Sequence, residues 1–92
     1  MAGQMNANKT YPTMYRGVVD DVNKAKVTGI YSVLDGTPNR PSIDGLNEGR
    51  LLLSVETDLV ISKQTISRSS LNKHAVRTSV DNGVTWTDWK VM

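Results

Sequence analysis

Hydrophobic and polar residues alternate along much of the second half of the chain, and this pattern is typical of β-strands. Residues 50–56 show it most clearly, because every second side chain is apolar, and a further leucine at position 52 indicates cover on both faces. The apolar positions of the first face are Leu51, Leu53 and Val55. We therefore predict a strand here whose first face packs against the core.

After a turn at residues 57–58, residues 59–67 are predicted to return as the partner strand of a hairpin. Leu59 and Ile61 are expected to face the core, whereas the polar far half of the strand is expected to remain in water. That polar half contains Lys63, Gln64, Thr65 and Ser67. An earlier apolar run, residues 29–34, predicts a further strand.

The end of the chain predicts a second hairpin, in which residues 73–80 and 84–91 are joined through Asp81, Asn82 and Gly83. Asn-Gly between two β runs is a strong hairpin signal, because both residues tolerate positive φ angles. With a two-residue turn, Val76 would face Trp89 on the core side, and Trp86 would lie on the other face.

A longer, bulged turn would swing Trp86 to the opposite face, since a shift of one residue exchanges the faces of a strand. The sequence leaves both registers open. Trp86 and Trp89 are each expected to be either a core residue or an exposed platform for a ligand.

Residues 18–26 carry a helical signal, because Val18, Val22 and Ala25 form one stripe at helical spacing. Two aspartates precede two lysines in this segment, as the helix dipole favours. We predict one short helix of one or two turns that ends near Lys26.

Two segments lack any periodic pattern. Residues 1–14 are predicted to be a flexible N-terminal arm, a possible docking segment, and residues 35–49 are predicted to be the longest loop. Residues 15–92 are predicted to form one small domain of the mostly β class. The expected architecture is an antiparallel sheet or sandwich-like module with one short N-terminal helix.

The overall composition excludes several classes of function. The 92 residues include no cysteine, so a disulfide framework and a zinc–thiolate site are excluded. The net charge is only +2 with interspersed signs, which argues against nucleic-acid binding. The longest apolar run is three leucines, and the first ten residues lack a signal-peptide pattern, so no membrane insertion is expected.

Few residues could support catalysis or hold a metal, and we expect no enzyme, no metal and no cofactor. His74 is the single histidine, and no sequence signal pairs it with a nucleophile. Asp81 and Asp88 lie within one hairpin, and the turn is expected to occupy Asp81, which argues against a glycosidase pair. The acidic residues near the long loop lack calcium-loop spacing; they are Asp35, Asp44 and Glu48.

Residues 79–86 fit the pattern S-x-D-x-G-x-T-W, which resembles the Asp box of sialidases and many other β proteins. The Asp81 carboxylate is expected to accept main-chain N–H groups, and Gly83 is expected to take the left-handed position. The structural residues of this turn are Ser79, Asp81, Asn82, Gly83 and Thr85. In proteins that carry the box, the aromatic packs inward and the turn lies away from the catalytic site.

A wider resemblance covers residues 17–92. The segments that carry it are D-V-N at 21–23, T-G-I-Y at 28–31, L-L-L at 51–53 and the run from Arg77 to Lys90. Together they resemble the pyocin-knob type of module, which occurs in fibre proteins of bacteriophages and phage-like particles. Asn82 stands where that family often has glycine.

This resemblance implies a non-enzymatic bacteriophage virion protein, a tail-fibre, head-fibre or adhesin module that is homotrimeric and binds host surface glycans. The alternative is a structural protein that decorates a capsid or connects tail parts, anchored to other virion proteins by its N-terminal arm. Sugars are held by aromatic faces together with amide and carboxylate hydrogen bonds. The residues available for this are Tyr31, Asn39, Arg40, Asp44, Asn47, Arg77, Trp86, Asp88 and Trp89.

Overall fold

The computed structural model describes residues 14–58 and 60–92, whose strands form one six-stranded sheet. The strands lie side by side in chain order. They are β1 (Tyr15–Val18), β2 (Gly29–Val33), β3 (Leu51–Thr57), β4 (Ser62–Arg68), β5 (Lys73–Ser79) and β6 (Lys90–Val91). Strands β2 to β6 pair antiparallel, whereas β1 is parallel to β2. The predicted mostly β class is confirmed.

Loops cover one face of this sheet, so the described residues form a sheet with a loop cover rather than a sandwich of two sheets. Leu53, Ile66 and Ala75 lie directly opposite one another on β3, β4 and β5 and form the middle of the covered face. Val22 and Leu46, from the loops on either side of β2, are fully buried in the same core cluster. The burial of these aliphatic side chains is the main favourable contribution to folding.

The predicted N-terminal helix is wrong, since the described part of the chain has only a single 3-10 turn in that place, Val22–Lys24. Val22 and Ala25 are buried as the stripe implies, but Val18 belongs to β1 and is exposed. Gln64 Nε2 donates to the carbonyls of Val22 at 2.8 Å and Ala25 at 3.0 Å. These bonds hold the turn on the sheet and occupy carbonyls that a longer helix would use.

The prediction of which β4 side chains face the core is also wrong. Ile61 precedes the strand and is half exposed, whereas Ser62 and Gln64 are buried on the covered face. Leu59 lies outside the described residues. The polar side chains are buried because they find partners there: Ser62 shares a hydrogen bond of 2.9 Å with the hydroxyl of Thr57.

The last two strands pair one residue away from the register of a two-residue turn. Val76 lies opposite Lys90 rather than Trp89. The connection between β5 and β6 is longer than a tight hairpin and is held by two bonds between Thr78 and Thr87. The Thr87 amide donates to the Thr78 carbonyl at 2.9 Å, and the Thr78 amide donates to the Thr87 hydroxyl at 3.0 Å.

Residues 1–13 of the predicted arm lie outside the described residues, and its last residue, Met14, is exposed. Within residues 14–58 and 60–92, no helical segment reaches the length and apolar character that crossing a bilayer would require.

Candidate functional site

A cavity of about 420 Å³ opens between the loop that joins β2 to β3 and the connection that follows β5. We call it the Trp86–Trp89 cavity. It brings together six of the nine residues that the sequence predicted to bind a ligand: Asn39, Arg40, Arg77, Trp86, Asp88 and Trp89. Ser42, Ile43 and Thr87 complete its lining. Residues far apart in the chain thus meet at one concave surface.

Arg77 organises this cavity. Its guanidinium carbon lies 4.5 Å from the centre of the Trp86 ring and 4.6 Å from that of Trp89. A cation over an aromatic face contributes about 0.5–2 kcal/mol, and the larger values apply where water is excluded. Both tryptophans are half-buried, so each is neither a pure core residue nor a fully exposed platform.

The position of Arg77 follows from the alternation of β5, which places it on the covered face between Ala75 and Ser79. Gln64 lies directly opposite on β4, and its Oε1 accepts a 2.8 Å hydrogen bond from Arg77 Nε. Asn23 Oδ1, in the 3-10 turn, accepts a second bond of 2.7 Å from Arg77 Nη2. The guanidinium is therefore fixed by the sheet and by the turn before it can meet a ligand.

Burial lowers the pKa of Arg77 to about 10, and the nearby Asp21 carboxylate opposes that shift. The guanidinium is still charged at neutral pH. An arginine has five N–H donors, of which the described residues accept two. The remaining donors can bind an acceptor in the cavity.

Arg40 holds the loop side of the cavity. Its Nη1 donates to the Leu34 carbonyl at 2.8 Å, and its Nη2 donates to the Leu46 carbonyl at 3.3 Å. Only 5% of the side chain is exposed, and Nη1 lies 3.7 Å from an oxygen of Asp35. Burial lowers the pKa of Arg40, whereas the Asp35 charge opposes this. A charged, buried side chain thus fastens the long loop over the sheet.

Asn39 has a positive φ of 68° and places its amide against the 3-10 turn. Its Nδ2 donates to Asp21 Oδ1 at 2.8 Å, and the same oxygen accepts the Asn23 amide at 2.9 Å. The hydrogen bond from Asn39, followed by that from the Asn23 amide, lowers the pKa of Asp21. This contact joins the two loops that flank β2, so the cavity wall does not depend on one loop alone.

The Asp81 carboxylate is occupied by the turn after β5. It accepts the Thr85 amide at 2.9 Å, the Thr85 hydroxyl, and the Ser79 hydroxyl at 2.7 Å. Ser79 Oγ also accepts the amide of Gly83 at 2.9 Å, and Gly83 has a φ of 79° that glycine adopts readily. Asn82 also has positive φ. The turn sets the direction in which the chain leaves towards Trp86.

We expect acid to weaken this turn. The bonds from the Thr85 hydroxyl and amide, and then from Ser79, lower the pKa of Asp81 to about 2, against about 3.9 in an unfolded chain. Because the folded pKa is the lower one, the stabilisation is complete above about pH 4 and is lost as the pH falls through 2. Melting temperatures between pH 5 and pH 2 should therefore fall less steeply for Asp81→Asn than for the unaltered chain.

Part of the acid sensitivity should remain in that variant, because hydrogen bonds also lower the pKa of Asp21 and of Asp58. The matched control is Asp88→Asn, since Asp88 is exposed and makes no hydrogen bond within the described residues. An Asp81→Asn curve that is parallel to the Asp88→Asn curve over this range would contradict the prediction.

Three predicted ligand residues lie away from the cavity lining. Tyr31 is a core residue, and its hydroxyl donates to the Val27 carbonyl at 2.7 Å. Asp44 and Asn47 are exposed on the long loop, where the Asp44 carbonyl accepts a 2.6 Å bond from Lys73 Nζ. Their positions give them no part in the Trp86–Trp89 cavity.

Gln64 and Asn23 are the supporting residues that the sequence reasoning missed. Both hydrogen bond to Arg77, yet each occurs in a polar stretch that resembles ordinary solvated surface. The burial of Gln64 could have been inferred from the alternation of β3. One face of β3 is apolar and buried, so the same face of its neighbour β4 must be buried as well.

The acidic residues and the histidine do not assemble into a further site. Among the described residues, no three His, Cys, Asp or Glu side chains are grouped so that they could hold a metal ion. Asp35 Oδ1 accepts the Gly49 amide at 2.7 Å, within the long loop. His74 hydrogen bonds to Asn72 Oδ1 at 3.2 Å.

Comparison of the whole chain with models of protein families, with curated proteins and with solved structures finds no match.

Proposed function

We propose that the chain is a non-enzymatic fibre or adhesin module of a phage-type virion, and that it binds host surface carbohydrate in the Trp86–Trp89 cavity. The observation that carries the binding part is the convergence of two tryptophans, two arginines, an asparagine and an aspartate on one open concave surface. Ligand sites generally combine apolar walls with a small number of fixed polar groups.

The chemistry of the lining suits a sugar. The indole rings of Trp86 and Trp89 offer apolar area to the C–H faces of a pyranose ring. Asn39 and Ser42 offer both donors and acceptors, and Asp88 offers acceptors, to sugar hydroxyls. A glycan that lies across the cavity would therefore contact both kinds of group.

The virion context is supported by the resemblance of residues 17–92 to pyocin-knob modules, whose terminal R-T-S-x-D to W-K run is present from Arg77 to Lys90. The same resemblance supports a homotrimer, and light scattering of the purified chain measures this directly. A monomer that associates with no particle would instead favour a generic carbohydrate-binding accessory domain.

Blocking the cavity should abolish carbohydrate binding. Ser42 is exposed, lines the cavity and makes no side-chain hydrogen bond within the described residues, so Ser42→Trp fills the space without removing a contact. On a glycan array, or in binding to host cells, we expect a loss of tenfold or more with an unchanged melting temperature.

The matched control is Ser70→Trp, which adds the same side chain at another exposed serine that does not line this cavity. It should bind as the unaltered chain does. Equal binding by the Ser42→Trp variant would exclude the cavity as the site, and absence of binding by the unaltered chain would remove the carbohydrate function.

A further inference from the structure

We propose that the ligand of the Trp86–Trp89 cavity is an acidic saccharide whose carboxylate is bound by the guanidinium group of Arg77. This inference rests on the proposed carbohydrate-binding function and names the class of sugar within it.

The first reason is the unused hydrogen-bonding capacity of Arg77. Gln64 and Asn23 accept from Nε and Nη2, and no described residue accepts from Nη1. Arg77 lines the cavity, and its Nη1 is not among the fully buried nitrogen atoms that lack a partner. A charged donor that is already held in place loses little side-chain entropy when an anion binds to it.

The second reason is the buried loop arginine. Arg40 also lines the cavity, 95% of its side chain is removed from solvent, and its Nε has no hydrogen-bond partner among the described residues. The indole Nε1 of Trp86 is likewise buried without a partner. Buried donors are normally satisfied in proteins, so these two unsatisfied donors beside the cavity show that its wall is poor in acceptors and rich in donors.

The third reason is the charge of Arg77. Asp35 forms an ion pair with Arg40 at 3.7 Å and also accepts the Gly49 amide, so the charge of Arg40 is partly offset. Asp21 accepts bonds from Asn23 and Asn39. No described carboxylate forms an ion pair with Arg77, so its guanidinium brings an unpaired positive charge to the cavity wall.

Carboxylate matches these groups better than other parts of a sugar. The planar fork of a guanidinium pairs with the two oxygens of a carboxylate, and such charge-assisted bonds are about twice as strong as neutral ones. Trp86 and Trp89 would contact the sugar ring that carries the acid. A neutral sugar would make the same ring contacts and leave the guanidinium donors unused.

The test compares three acidic oligosaccharides with carboxyl-reduced forms of the same compounds, by isothermal titration calorimetry on the full chain. The probes are tetragalacturonate, tetraglucuronate and sialyllactose. We expect at least one acidic probe to bind at least tenfold more tightly than its reduced form. Equal affinity within every pair would overturn the acidic inference and leave carbohydrate binding intact. Binding of none of the six compounds would overturn both proposals.

Asp88→Asn provides a second readout in a variant that is expected to fold normally, because Asp88 is exposed and makes no hydrogen bond within the described residues. Removing this negative charge should raise the ratio of the affinity for the acidic probe to that for the reduced probe about two- to fivefold, as expected for an exposed charge pair. The ratio isolates the charge, because a hydroxyl contact of Asp88 would be altered equally for both probes. A lower ratio in this variant would contradict the inference.

Discussion

Replacing Gln64 by leucine is expected to lower the free energy of unfolding by about 4 kcal/mol, because each buried polar group left without a partner costs about 1–3 kcal/mol. The amide of Gln64 donates to the carbonyls of Val22 and Ala25 and accepts from the Nε of Arg77. Leucine has a similar volume and makes none of these bonds. The Ala25 carbonyl and the Arg77 Nε would then lose their partners, whereas the Val22 carbonyl keeps the Ala25 amide at 3.3 Å. The free energy of unfolding of a small domain is about 5–15 kcal/mol in total, so the variant should be only marginally folded. Urea denaturation followed by tryptophan fluorescence measures the change.

Thr65→Leu is the matched control, since Thr65 is the next residue of β4 and points to the uncovered face. We expect its free energy of unfolding to change by less than about 1 kcal/mol, as is usual for surface substitutions. Similar losses for the two variants would show that the Gln64 hydrogen bonds do not hold the 3-10 turn on the sheet. Because fluorescence reports on Trp86 and Trp89, far-ultraviolet circular dichroism should be recorded in parallel.

The contrast between Gln64 and the strands shows which parts of the fold the sequence could predict. The segments 29–34, 50–56 and 73–80 were recognised from their apolar alternation, and the observed strands β2, β3 and β5 agree with them within one residue at either end. Alternation is a local property that the chain carries regardless of its partners. The burial of Gln64 depends instead on Arg77 and on two carbonyls, all far from it in sequence.

The prediction of an N-terminal helix was wrong for the same reason, because contacts with distant parts of the chain decide the structure there. Val18, Val22 and Ala25 have helical spacing, but Val18 is drawn into β1, which pairs with β2 in parallel. The two aspartates, which suggested the start of a helix, act differently: Asp21 closes a single turn by accepting the Asn23 amide. Tertiary hydrogen bonds override a weak helical signal of this length.

The candidate site was partly predictable because most of its residues are close in sequence. Trp86, Asp88 and Trp89 lie in one motif, and Asn39 and Arg40 lie in one loop. The relation of the two groups could not be predicted, since it depends on how the long loop folds over the sheet. A two-residue turn would have put the side chain of Arg77 on the face opposite to the core, whereas the observed register puts it on the covered face.

Ser79→Ala is expected to lower the free energy of unfolding by about 3 kcal/mol, since it leaves one buried amide unsatisfied and removes further bonds of about 1 kcal/mol each. Ser79 is 2% exposed, and its hydroxyl accepts the amides of Gly83 and Asp81 and donates to the Asp81 carboxylate.

The effect of Ser79→Ala should be concentrated in the turn that directs the chain to Trp86, because the strand ladder from β2 to β5 does not involve this hydroxyl. Hydrogen exchange should therefore accelerate most at the amides of Gly83 and Thr85, and ligand binding in the Trp86–Trp89 cavity should weaken even under conditions where the variant is fully folded. Ser54→Ala, on the uncovered face of β3, is the control and should change neither the hydrogen exchange of these amides nor ligand binding. Unchanged exchange at Gly83 in Ser79→Ala would show that the turn is held by Asp81 alone.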